Sequence, residues 1–128
     1  MITREEILMG RDKQYPLTPE LEANLTKLIG AVNKFRAAYG KPLTVSSGYR
    51  PGAFNSAAGG AKASNHMICL AVDFKDADGA IDAFAVECDK KGLLKAWGLW
   101  LEHPDSTPGW CHLDIKLRGD RSSNIFKP

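Results

Sequence analysis

Two short stretches carry residue types that could hold a metal ion. Ser64-Asn65-His66-Met67-Ile68-Cys69-Leu70-Ala71-Val72-Asp73 places His66 and Asp73 seven residues apart, and Trp110-Cys111-His112-Leu113-Asp114 supplies a second histidine. Imidazole nitrogen and carboxylate oxygen both bind zinc well, and a catalytic zinc site uses three protein ligands and keeps a fourth position for water. His66, Asp73 and His112 therefore form a candidate zinc triad. Histidines beside apolar residues also serve as hydrogen-bonded structural groups, and spacing alone leaves both roles open.

Uniting the three residues takes a strand under Asp73, a neighbouring strand under His112 and a loop that brings His66 back over both. Leu70 to Lys75 is predicted as one strand. Trp110 to Lys116 is predicted as another, forming a hairpin with Gly98-Leu99-Trp100-Leu101-Glu102 across a loop from His103 to Gly109. Side chains alternate along a strand, so His112 and Asp114 face one way and Cys111 and Leu113 the other. Cys111 is thus expected in the core. Leu43 to Ser47 is a further strand, leading into the turn Gly48-Tyr49-Arg50-Pro51. Residues 52–64, rich in Gly and Ala, are expected to be an irregular loop.

Helices supply the rest of the core. Thr3-Arg4-Glu5-Glu6 has the form of a capping box that opens a helix of about two turns, ending near Gly10. Arg11 to Leu17 is a polar connector. Thr18 suits an N-cap and Pro19 the first helical position, while Leu21, Leu25, Leu28, Ile29, Val32 and Phe35 recur on one face. With Gly40 and Pro42 as stops, this predicts a helix over 18–39. Asp76-Ala77-Asp78-Gly79 is a turn able to cap a helix with inner residues Ile81, Phe84, Ala85 and Cys88, ending near Gly92. Leu93, Leu94 and Trp97 continue that apolar surface. The tail from Arg118 is polar, but Ile125 and Phe126 are expected to dock on the core. Helices and strands without regular alternation predict an α+β fold, a small antiparallel sheet with packed helices.

At 128 residues with 44% hydrophobic content, the chain is expected to be one domain over 1–128: a short helix and connector (1–17), a core (18–116) and a tail (117–128). Seventeen basic and 15 acidic residues, net charge +2, argue against a nucleic-acid partner. No apolar run approaches the roughly 20 residues of a membrane span. The first residues, Met1-Ile2-Thr3-Arg4-Glu5-Glu6, lack a secretory-signal pattern, so cytoplasmic synthesis is expected. Three cysteines, Cys69, Cys88 and Cys111, are then expected as buried thiols and not as a disulfide framework. With no exposed apolar stripe in the pattern, a monomer is expected.

Ser64-x-His66-x-x-Cys69-x-Ala71-Val72-Asp73 resembles the S-x-H-x-x-G-x-A-x-D motif of a family of zinc peptidases. That family comprises the zinc D-alanyl-D-alanine carboxypeptidases, the VanX-type dipeptidases and the phage L-alanyl-D-glutamate endopeptidases, and it shares a fold with hedgehog signalling domains. Ser47-Gly48-Tyr49-Arg50 resembles its S-G-[YF]-R element, and Trp110-x-His112 its W-x-H strand. Order and spacing match over residues 20–116, closest to small single-domain phage members. The resemblance implies zinc on His66, Asp73 and His112, with substrate contacts from Arg50 and Ser64. Tyr49 is expected to pack, and His103 to be an exposed loop histidine.

The resemblance leaves the proton carrier to be chosen. VanX-type and several phage members place an acid three residues before the third ligand, where this chain has Gly109. Hedgehog-type members place a glutamate at the end of the preceding strand, which is Glu102 here. Glu102 is therefore the expected catalytic carboxylate, with Asp105 and Asp114 as alternatives. A second departure is Cys69 where the motif has glycine: either the backbone angle is ordinary there or strain is tolerated. His66-x-x-Cys69 also has metal-ligand spacing, a minor alternative, since a thiol beside apolar residues most often packs.

The function so implied is a zinc-dependent peptidoglycan peptidase that hydrolyses stem-peptide bonds, a phage or prophage endolysin that reaches the wall after release by a holin. The alternatives are a D-alanyl-D-alanine carboxypeptidase of wall maintenance and an inactive metal-containing wall-binding or phage tail module.

Overall fold

The structure is a computed structural model that describes residues 1–52 and 64–128, so most of the run expected as an irregular loop lies outside the described residues. Thr3 accepts from the Glu6 amide and Glu6 reaches back to the Thr3 amide, the expected capping box, opening helix α1 (Arg4–Leu8). Met9 and Gly10, both at positive φ, end it after little more than one turn. A 3-10 turn at Arg11–Lys13 lies in the connector. Thr18 accepts from the Leu21 amide and starts α2 (Pro19–Tyr39), which Gly40 closes at φ +75°, as predicted. Leu25, Leu28, Val32 and Phe35 are buried along its inner face, each contributing roughly 1.5–3 kcal/mol.

Five strands form one sheet in the order β1-β2-β4-β3-β5. They are β1 (Val45–Ser47), β2 (Ala71–Lys75), β3 (Trp100–Glu102), β4 (Trp110–Asp114) and β5 (Ile125–Phe126). Neighbours are antiparallel except β3 and β5, which run parallel. The expected hairpin of β3 and β4 forms, and β4 also pairs with β2 along its whole length. Val72, Leu113 and Leu101 lie in one row across β2, β4 and β3, and Phe74 pairs with Cys111. These residues face the hydrophobic core. The alternate residues, Asp73 paired with His112 and Ala71 with Asp114, face the other side.

Behind the core face pack α2, α3 (Ala80–Lys90) and α4 (Leu93–Trp97). The Asp76 carboxylate accepts from the amides of Ile81 and Asp82, so the turn caps α3 from four residues before its start. The apolar patch at Leu93–Trp97 is itself a helix, set off by Gly92 and Gly98 at positive φ, which the short repeat did not reveal. Ile125 and Phe126 dock as a strand: Leu101 N–H donates to Asn124 O and His103 N–H to Phe126 O, each at 2.8 Å. Among the described residues no helix is long and apolar enough to cross a membrane.

Candidate metal centre

Asp73 and His112 sit opposite one another on β2 and β4. His66 arrives from a 3-10 turn, Asn65–Ile68, just before β2. Ser64 begins that turn by accepting from the His66 amide, and Cys69 ends it. One ligand atom from each of His66, Asp73 and His112 lies within 4.8 Å of the others, and all three residues are buried. His66 Nε2 is 3.3 Å and His112 Nδ1 2.8 Å from Asp73 Oδ1.

The remaining nitrogen of each ring is anchored. His66 Nδ1 donates to the Gly48 carbonyl at 2.9 Å, leaving Nε2 to face Asp73. His112 Nε2 donates to Asp114 Oδ2 at 2.8 Å, leaving Nδ1 to face Asp73. A metal-binding histidine commonly has its second nitrogen held by a carbonyl or carboxylate in this way. The donor set fits zinc: two neutral-capable imidazoles and one carboxylate, converging and oriented.

Charge is strongly coupled here. Burial pushes the Asp73 carboxyl up, but hydrogen bonds from His112 and His66 outweigh it and hold the group below the usual carboxylate range. Burial pulls His112 down, yet Asp114 and Asp73 raise it to about 9. Burial likewise pushes the Asp114 carboxyl up, but hydrogen bonds from His112 and Arg118 outweigh it and hold the group low.

Three carboxylates were candidates for proton transfer, and the fold separates them. Glu102 ends β3 with Oε1 3.9 Å from His112 Nδ1 and its side chain 18% exposed. Burial raises its pKa, partly opposed by His112 and reinforced by Asp73 and Asp114. Asp105 sits on a 3-10 turn, Pro104–Ser106, with its side chain 89% exposed and 3.6 Å from His103. Asp114 is wholly buried behind His112, its oxygens occupied by His112 and Arg118. Gly109 takes φ +92° and its carbonyl accepts from the Asp76 amide, so a left-handed turn stands three residues before His112.

Arg50 follows the Gly48 turn. Its amide donates to His66 O at 3.0 Å, and its guanidinium donates to Ser64 Oγ at 3.4 Å. Among the described residues its buried Nε has no partner. Burial lowers its pKa, and the charge of Asp73 opposes that fall. Tyr49 packs, as expected, and its hydroxyl donates to Tyr15 O at 3.2 Å.

Cys69 lies in the core, its thiol pushed up by burial to about 12, and does not join the ligand cluster. Its φ is +59°. Of the two possibilities the sequence left open, the chain tolerates strain where a glycine would have none. Cys111 and Cys88 are also buried free thiols.

The contacts that Gly48, Arg118 and Phe126 make at the site were not visible in the sequence. A Cβ on Gly48 would stand 2.1 Å from the Ile7 carbonyl oxygen, which instead accepts from the Tyr49 amide at 2.8 Å. Helix α1 therefore docks on the very turn that anchors His66. Arg118 and Phe126, in the tail, also reach the site: the Arg118 guanidinium pairs with Asp114, and the Phe126 ring stands 5.9 Å from the His112 ring. The Asp114 and Arg118 spacing was the only signal available, and on an irregular segment it has no directional meaning.

No curated protein and no solved structure matches the chain. The peptidase M15 family model matches residues 2–114, which spans α1, every residue of the triad, Arg50, Ser64 and Glu102. With that match laid over a buried His-Asp-His cluster of zinc-binding chemistry, the chain belongs to the peptidase M15 family of zinc metallopeptidases.

Proposed function

We propose that this chain hydrolyses a bond in the peptidoglycan stem peptide, with zinc held by His66 Nε2, Asp73 and His112 Nδ1, Glu102 carrying protons and Arg50 holding substrate. The observation that carries this is the convergence of three ligand atoms within 4.8 Å, each imidazole anchored through its other nitrogen, with Glu102 alongside. When bound, zinc supplies Lewis-acid polarisation of the scissile carbonyl and makes water more acidic.

The chain's own groups do the rest. The Gly48 carbonyl and the Asp114 carboxylate hold the two imidazoles with the correct nitrogen facing inward. Glu102 accepts a proton from the attacking water and hands it to the amine nitrogen as the carbon–nitrogen bond breaks. Its raised pKa suits both halves of that transfer. Asp105 is too exposed, and Asp114 too enclosed, to share the task. Arg50 has a buried Nε–H with no partner among the described residues, which a substrate carbonyl or carboxylate would satisfy. Ser64 steadies that guanidinium while capping the turn that carries His66.

The resemblance to small phage members supports an endolysin that reaches the wall after a holin opens the membrane; we take it as a monomer made in the cytoplasm. The bond cut is then L-alanyl-D-glutamate or a D-alanyl bond. The test is digestion of purified sacculi with the zinc-loaded chain. New amino termini should appear, stop on addition of a chelator and return with zinc; mass spectrometry of the products names the bond. Folded protein holding one zinc that releases nothing from walls of several chemotypes overturns the catalytic assignment in favour of a wall-binding module.

A further inference from the structure

The segment beyond residue 114 lies outside the family match, yet it closes one side of the metal centre. Arg118 Nη1 donates to Asp114 Oδ1 at 2.5 Å and Nη2 to Asp114 Oδ2 at 3.1 Å, a fork on a fully buried carboxylate. The same Oδ2 accepts from His112 Nε2 at 2.8 Å. The Lys116 amide donates to Asp114 Oδ1 at 3.2 Å. The carboxylate is thereby fixed in plane and rotation by groups that follow it in the chain.

Arg118 is held in turn. Its guanidinium lies 3.7 Å from the centroid of the Phe126 ring and 5.5 Å from that of Trp100. Phe126 meets the His112 ring edge-on at 76°. Asn124 locks the approach to β5, donating to Leu99 O at 3.0 Å while its amide donates to Asp89 Oδ1 at 2.7 Å. Arg118, Asp114, His112 and Phe126 thus form a closed ring of contacts, two of whose members come from the tail.

We propose that Arg118 is a positioning residue for the metal centre, which through Asp114 and with Phe126 as its brace fixes the orientation of the His112 ring. The inference rests on the zinc assignment above. Two roles for Arg118 predict opposite signs. As a mere positive charge near a cation site it repels zinc, so its removal tightens binding. As the clamp on Asp114 it orients the ligand, so its removal loosens binding, by about tenfold if it behaves like other outer groups of metal sites.

The experiment measures zinc affinity of the full chain by competition with a chromophoric chelator, for wild type, Arg118→Gln, Arg118→Lys, Asp114→Asn and the Arg118→Gln/Asp114→Asn double variant. The cobalt-substituted absorption spectrum is recorded for each. Arg118→Gln and Arg118→Lys should both bind zinc more weakly and shift the cobalt bands, since lysine keeps the charge but lacks the planar fork. The double variant should bind no more weakly than Asp114→Asn alone, because Arg118 acts through Asp114. Wild-type or tighter zinc affinity in both Arg118 variants overturns the proposal, as does full additivity in the double variant. If Arg118→Gln fails to fold, Arg118→Lys decides alone by the same sign. A wild-type chain that takes up no zinc overturns the zinc assignment and the inference together, whereas zinc uptake unaffected by the Arg118 variants overturns the inference alone.

Discussion

His112 and Asp73 face each other across β4 and β2, and His112 Nδ1 lies 2.8 Å from Asp73 Oδ1. That single cross-strand pair sets the rest of the centre. Continuing the β4–β3 register one residue past Leu113 and Leu101 brings Glu102 beside His112 on the same face. The turn before β2 then needs only to fold His66 over the row.

Glu102→Gln should leave zinc stoichiometry unchanged and cut release of amino termini from sacculi by about 10²–10⁴-fold, the usual contribution of a positioned proton carrier. Asp105→Asn should stay within a few-fold of wild type, because that side chain is 89% exposed and turned to His103. An active Glu102→Gln with an inactive Asp105→Asn would move the role to the loop.

Gly48→Ala and Gly30→Ala should move stability in opposite directions. At Gly48 a methyl meets the Ile7 carbonyl oxygen at 2.1 Å, so α1 must shift away from the turn whose carbonyl anchors His66. A loss of roughly 1–3 kcal/mol and weaker zinc binding are expected. At Gly30, inside α2, a methyl meets nothing within 4 Å, and alanine should add about 0.5–1 kcal/mol. Urea denaturation of the two variants against wild type checks both signs.

Cys69 tests strain against packing. Its φ of +59° favours glycine, while its buried thiol favours a side chain. Cys69→Ala loses packing and keeps the strain; Cys69→Gly loses slightly more packing and sheds the strain, worth roughly 1–2 kcal/mol. The glycine variant should therefore be the more stable of the two by about 1 kcal/mol in denaturant.

Asp82 predicts a pH dependence. Burial raises its carboxyl to about 6, helped by the charges of Asp76 and Glu102 and opposed by hydrogen bonds from Cys111 and Thr107. One of its oxygens, Oδ1, is buried without a partner among the described residues. The folded state holds this proton more tightly than the unfolded state, whose pKa is 3.8, so the group's stabilising effect is full below about 4 and is lost as pH rises through about 6. Asp82→Asn should match wild type near pH 4 and exceed it increasingly toward pH 7, by an amount on the order of 1–2 kcal/mol. Equal stability differences at both pH values would contradict the shift.

Much of this was legible because local chemistry and tertiary structure agree. Thr18, Pro19 and Gly40 bound α2 where their backbone preferences place them, and the alternation of Cys111, His112, Leu113 and Asp114 sorts core from site without any fold in hand. What stayed hidden depends on contacts distant in sequence. Nothing near Gly48 announces that Ile7 presses against it, and nothing in Ser122-Ser123-Asn124-Ile125-Phe126 announces a parallel partner for β3. The Leu93–Trp97 helix is too short for its period to stand out. Cys69 was the informative departure: the left-handed backbone that favours glycine in the motif is present here, carried by another residue.

The most direct test of the central claim is an anomalous difference map at the zinc edge from crystals of the zinc-loaded chain. One peak bounded by His66 Nε2, Asp73 Oδ1 and His112 Nδ1, with the Glu102 carboxylate facing it, is the predicted result. A stoichiometric zinc found anywhere else, or held without both histidines, would contradict it.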